Sequence, residues 1–325
     1  MYPPIFFRTL VAVLSWAFIA IVCSTGSLNA ASDMGPKTKP TPGTGVCFLG
    51  HLADETLSEA SGMVASRKHK NLLWVINDGG NPPLIHAVGL NGSNRGHVRI
   101  RDALNTDWED LAAFQLDGLP YLLIADCGDN DRRRKSSYLY IVEEPRVGSS
   151  TIPADFSVPW KWRIEYSYSD GPRDCEGVAV DMGNQQILLL TKRTDPPVIY
   201  ALPLVSIENE KIQLARPLAT IKGIPAPTQQ DLSEDPLFGR FRSQPTAMDI
   251  SPDGETMAIL TYKRPYLIHR RGNESWSRAF DRPPLPLVMP RMRQAEALCF
   301  SVDGASLFVT SEKHPAPLYR VDIKH

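Results

Sequence analysis

The sequence predicts an all-β fold, a single β-propeller of five or six blades closed by its own N-terminal strand. Three observations predict it. A short two-strand pattern restarts five times, Asp-Gly pairs sit between several of the paired strands, and no amphipathic helix of convincing length occurs. A sandwich of two sheets is the simpler rival, but it gives no reason for one pattern to restart five times.

Residues 1–30 read as an export signal. Arg8 is the only charge before an apolar run from Leu10 to Cys23, and small residues follow to Ala30. The run is about fourteen residues, short of the roughly 20 that a spanning helix needs. An uncleaved anchor is the alternative. The mature chain is expected to be periplasmic or secreted, with no stable membrane span. Residues 31–45 are rich in Pro, Gly, Thr and Lys and read as a flexible tether. Residues 46–325 are enough for one large all-β domain, expected to be a monomer.

The formal net charge is −1, and Lys and Arg are scattered, so nothing points to a nucleic-acid surface and no nucleic-acid partner is expected. The sharpest basic cluster, Arg132 to Lys135, reads as a solvated loop. Cys47, Cys127, Cys175 and Cys299 follow the leader; an even count in an exported chain permits two disulfides. Their spacing is not that of a zinc site, and no pair of the seven His has ligand spacing along the chain.

The five copies begin at Ser61, Glu109, Glu176, Thr246 and Glu296, and each continues as an apolar strand, a turn and a second apolar strand. Asp117-Gly118, Asp253-Gly254 and Asp303-Gly304 occupy turns, where Gly tolerates the positive φ of a tight hairpin. Two of the spacings are near 50 residues, close to the four-stranded period of a blade, and two are near 70, the long gaps holding loops. The stretch from Thr191 to Gly223 is ambiguous and leaves five or six blades open, and Gln229 to Pro245 reads as a loop. The last copy is one strand short, and Val46 to Leu49 is a strand without a copy. That strand is expected to complete the final blade, because a ring removes its edges only if its ends meet.

In a blade the innermost strand crosses the ring and the next returns beside it. Strand-one starts and strand-two ends therefore share one face at the channel mouth. This gathers Ser61, Glu109, Glu176, Thr246 and Glu296 with Asp107, Asp110, Asp174, Asp78, Asp126 and Asp129, and brings Lys192, Lys263 and Arg173 nearby. Converging carboxylates stay ionised only if cations compensate them. Calcium suits such a site, since it takes six to eight oxygens in irregular geometry. Asp129 also has a purely local turn role, whereas Glu109, Glu176 and Glu296 have none, Glu being depleted in strands. No nucleophile elbow surrounds Ser61, so a serine hydrolase triad has no support.

The ordered set LLWVINDGG, NTDWEDLA, LLIADCGDNDRRR, YSDGPRDCEGVAVD, TAMDISPDG and QAEALCFSVDG resembles a group of exported bacterial β-propellers. That group is distantly similar to β-propeller phytases and to the "esterase-like activity of phytase" domain. The resemblance implies calcium at an acidic mouth and calcium-dependent phosphoester or ester hydrolysis. The full basic phosphate-binding set of true phytases has no counterpart here.

The leading expectation is thus a calcium-binding propeller acting on a small anionic or ester substrate. Glu109, Asp110, Asp126, Asp129, Glu176 and Glu296 are the candidate metal ligands, and Arg173, Lys192 and Lys263 the candidate anion-binding residues. The alternatives are a non-catalytic propeller with structural calcium and a protein or glycan ligand, and a lactonase-type hydrolase. Cys127 and Cys175 fall at the mouth of consecutive blades and are the expected disulfide.

Overall fold

The computed structural model describes residues 45–148, 152–153, 156–205 and 211–323. The leader and all of the tether except Gly45 lie outside them. Among the described residues no helix is long and apolar enough to cross a membrane.

The chain opens with β1 (Val46–His51) and then builds a first meander from β2 (Ala60–Ala65), β3 (Leu72–Asn77), β4 (Leu84–Gly89) and β5 (Asn94–Arg101). The second holds β6 (Trp108–Leu116), β7 (Leu119–Asp126) and β8 (Ser137–Glu143). After the short β9 (Ser157–Pro159), which pairs with β5, it is completed by β10 (Trp162–Tyr168). The third is β11 (Cys175–Asp181), β12 (Gln186–Thr191), β13 (Val198–Pro203) and β14 (Gln213–Thr220), joined to the second by parallel pairing of β14 with β10. The ambiguous stretch therefore supplies the outer half of this meander. The fourth is β15 (Pro245–Ile250), β16 (Thr256–Thr261), β17 (Pro265–His269) and β18 (Leu285–Pro286). The last is β19 (Ala295–Phe300), β20 (Ser306–Ser311) and β21 (Pro317–Asp322), with β1 as its outer strand.

Two features make this a propeller. The innermost strands neighbour one another in a closed cycle, β2 to β6 to β11 to β15 to β19 and back to β2. Each core cluster then lies between two successive meanders. Trp74 and Ile76 pack with Leu111 and Leu122, for example, and Met63 and Leu73 with Ala297 and Phe308. A blade buries both faces only against its neighbours, so the ring must close for the first and last to be stable. Closure is by strand pairing. β1 runs antiparallel to β21 from Val46 opposite Val321 to His51 opposite Pro317, and Phe48 packs on Tyr319.

The hairpins follow the Asp-Gly reading. Asp117 and Gly118 both have positive φ, 50° and 76°, as a type I′ turn requires. One local expectation is corrected: Gln229–Glu234 is a short helix, α1, within the stretch expected to be loop. Thr228 caps it and Asp231 closes the capping box. Six residues are too few to display a helical period in the sequence. A second short helix, α2, spans Trp276–Ala279.

Candidate functional site

All five inner strands carry a β-bulge at the same place. The register skips one residue between Ala60 and Gly62, Trp108 and Asp110, Cys175 and Gly177, Pro245 and Ala247, and Ala295 and Ala297. The skipped residues are Ser61, Glu109, Glu176, Thr246 and Glu296. A bulge leaves its extra residue outside the ladder and re-aims its side chain. Just past two of the bulges, glycine lets the backbone approach the next inner strand closely. A Cβ on Gly62 would lie 2.7 Å from Asp110 Cα, and one on Gly177 would lie 2.9 Å from Met248 Cβ.

The bulge residues divide by chemistry. Ser61 Oγ donates to the Glu109 carbonyl and Thr246 Oγ1 donates to the Ala295 carbonyl at 2.8 Å, so both hydroxyls tie adjacent inner strands together. The three glutamates are buried and converge with other carboxylates. Oxygens of Glu109, Asp174 and Glu176 lie within 4.8 Å of one another, and so do those of Asp78, Asp107 and Glu109. Glu109 is common to both groups. Glycines wall the cluster: a Cβ on Gly128 would overlap Glu109 Oε1 and sit 2.5 Å from Asp107 Oδ2.

Three cations compensate part of the charge. Lys192 Nζ lies 2.8 Å from Glu176 Oε2 and over the Tyr262 ring, Arg134 pairs with Asp126 at 2.8 Å, and Arg193 Nε lies 2.6 Å from Asp174 Oδ2. Carboxylates still outnumber them. Burial first, and then neighbouring carboxylates, push Glu176 and Glu296 up to about 8 and Asp78 up to about 6, with Glu109 and Asp107 raised as well. Lys192 lowers Glu176 and Glu296 in part. Burial opposes the charge on Lys192, yet Glu176, Tyr262 and Glu296 hold its ammonium well above the ordinary value. Asp126 Oδ2 is buried and has no hydrogen-bond partner among the described residues.

The expected residues separate into groups. Glu109 and Glu176 sit in the cluster; Glu296 sits beside Glu312, whose Oε2 accepts from Gln294 at 2.6 Å. Asp126 faces Arg134 and the Asp107 N–H. Asp129 has the local role, accepting from the Arg133 and Arg134 N–H groups at 2.8 Å each. Asp110 is buried in the ring interior, where its carboxylate accepts from the Leu111, Val178 and Met248 N–H groups and so bridges three inner strands. Among the anion-binding candidates only Lys192 reaches the cluster. Arg173 pairs with Asp170 and Tyr200, and Lys263 pairs at 2.6 Å with Asp231 of α1.

Cys127 and Cys175 are buried free thiols set side by side, with Cys127 Sγ 3.3 Å from the Cys175 carbonyl oxygen. Arg134 belongs to the site although it lies in the basic run read as a solvated loop; Arg133 of that run is exposed. The missed signal is its distance of eight residues from Asp126, across the turn that Asp129 caps.

No protein-family model matches this chain, and no curated protein sequence matches it. Solved structures do. The nidogen/laminin complex matches at 11% identity over 78% of this chain and 73% of that one, with a TM-score of 0.42. Raptor of Chaetomium thermophilum matches at 11% identity over 81% of this chain, with a TM-score of 0.37. This chain spans only 20% of the Raptor chain. Neither match names a phytase or an esterase-like domain.

Proposed function

We propose that this chain is an exported, calcium-binding β-propeller. Glu109, Asp174 and Glu176 would hold the ion, with Asp78, Asp107 and Asp126 around them. The observation that carries the reading is the repeated bulge, which turns three buried glutamates toward a mouth where carboxylates outnumber Lys192, Arg134 and Arg193. The donor set fits calcium: it is all carboxylate oxygen, and the charge of Asp126, whose Oδ2 has no hydrogen-bond partner among the described residues, bears on Asp107 of the same cluster. Equilibrium dialysis of calcium against the mature protein tests it. Saturable uptake is expected, together with stabilisation of about 2.7 kcal/mol when free calcium is one hundred times its dissociation constant. Unchanged calcium affinity and unchanged calcium-dependent melting in the double variant Glu176→Gln, Glu296→Gln would defeat the proposal.

A second reading is calcium-dependent ester or phosphoester hydrolysis. It is favoured by a cleft of about 330 Å³ beside the mouth, lined by Asp129, Arg134, Lys135, Tyr166 and Arg173 among others. That volume suits a small ligand, and its cations suit an anionic one. Phosphomonoester, carboxyl ester and lactone substrates, each with and without chelator, separate the readings. Chelator-sensitive turnover supports a hydrolase. Calcium binding without turnover supports a propeller whose ion is structural and whose ligand is a protein or glycan.

A further inference from the structure

The histidines are far apart in sequence spacing but not in space. His86 of β4 and His97 of β5 are direct cross-strand partners, with ring centroids 5.7 Å apart. Asp54, in the link between β1 and β2, reaches the same place: His86 Nδ1 lies 3.0 Å from Asp54 Oδ2. One ligand atom from each of Asp54, His86 and His97 lies within 4.8 Å of the others. His86 and Asp54 are buried, and His97 is half-buried.

The surroundings orient this set. The Thr56 N–H and Oγ1 donate to Asp54 Oδ1 at 3.0 and 2.7 Å, which leaves Oδ2 turned to His86. Outer contacts of this kind fix the aim of a ligating carboxylate. The link is also pinned to the β4–β5 hairpin by backbone, with the Ala53 N–H donating to the Gly92 carbonyl at 2.9 Å.

We infer that Asp54, His86 and His97 form a second metal site, selective for a zinc-class transition cation and separate from the acidic mouth. Two imidazoles and one carboxylate are a borderline donor set that suits zinc and its neighbours, whereas calcium takes oxygen. Ideal zinc bonds of about 2.0–2.1 Å place tetrahedral ligands about 3.3 Å apart. The Asp54 and His86 atoms, 3.0 Å apart, lie close to that separation. The His97 ligand atom lies within 4.8 Å of both and would close the third side by moving inward. Water completes the tetrahedron.

The position gives the ion a role. β1 closes the ring only by pairing with β21, and Asp54 stands three residues beyond its end. A cation shared by Asp54 and the β4–β5 hairpin ties the last meander's outer strand to the first meander, across the seam. Binding to the folded state alone then raises stability by mass action.

The test uses the mature chain freed of metal by a chelator and titrated with zinc against a chromogenic zinc indicator, in excess calcium to occupy the mouth. Wild type is expected to take up one zinc per chain and to melt higher with it. His97→Gln, on an outer strand, is expected to stay folded without metal and to bind zinc at least about tenfold more weakly. Asp54→Asn is expected to weaken zinc likewise, and Glu176→Gln to leave it unchanged. Absence of zinc uptake by wild type overturns the inference, as does equal affinity in wild type, His97→Gln and Asp54→Asn. Loss of zinc binding in Glu176→Gln also overturns it, by moving the site to the mouth.

Discussion

Replacing Glu176 by Gln separates two opposing contributions of one carboxyl group. In metal-free protein, burial pushes this carboxyl from 4.5 up to about 8, Lys192 opposes the shift, and Asp174 and Glu296 add to it. A group whose pKa is raised by folding favours the folded state fully below its unfolded value, and that contribution is lost as pH climbs toward the folded one. For Glu176 the window is pH 4.5 to about 8. Two pH units of that window, from pH 5 to pH 7, cost the metal-free protein about 3 kcal/mol at this group. In a domain of this size that is a fall in Tm of about 5–10 °C. Asp54 and Asp231, whose carboxyls lie below their ordinary values, have completed their contributions below pH 5 and add no slope. Glu296, at about 8, and Asp78 and Asp249 of β15, at about 6, add slope of the same sign to both proteins. Gln is uncharged throughout, so in chelator Glu176→Gln should match wild type at pH 5 and melt above it at pH 7. Excess calcium should reverse that order, because only wild type keeps the full donor set. Differential scanning calorimetry at both pH values, with chelator and with calcium, reads all four states. A variant that melts below wild type in chelator at pH 7 refutes the reasoning, since the Lys192 ion pair would then outweigh the burial of charge.

Deleting Val46 to Leu49 unpairs β21 and should lower Tm by more than about 5 °C, whereas trimming residues 33–44 should not; equal Tm values for the two truncations defeat closure by β1. Gly128→Ala drives a methyl into Glu109 and Asp107, and should weaken calcium binding by about 1–3 kcal/mol in dialysis. Asp110→Asn replaces one acceptor oxygen by a donor facing backbone N–H groups; denaturant unfolding should show a loss of about 1–3 kcal/mol while calcium affinity holds. A drop in affinity there would return Asp110 to the ligands. Cys127 and Cys175, 48 residues apart, are free thiols here; the expected bridge, if exported protein oxidises them, is worth about 2–4 kcal/mol, and alkylation of both without prior reduction rules it out.

Local chemistry alone determined the propeller. Five restarts of one strand pair, Asp-Gly turns with positive φ and an unpaired N-terminal strand are short-range features, and each reappears as an inner hairpin, a turn or the closing strand. The positions of Glu109, Glu176 and Glu296 were equally legible, because a residue at the same place in every copy lands on the same rim of a ring. Which neighbours those positions meet was decided only by the tertiary structure. Asp110 and Glu109 are adjacent in sequence, yet a bulge sends Glu109 into the carboxylate cluster and leaves Asp110 to bridge inner strands. Arg173 and Lys192 both lie near strand ends, and only the packing of the third meander puts Lys192 against Glu176 and Arg173 against Tyr200. His86 and His97 have no ligand spacing along the chain; antiparallel pairing of β4 and β5 makes them neighbours. The physical reason is the range of the forces. Turn and strand preferences act over a few residues, whereas burial and charge depend on distances that exist only after the ring has closed.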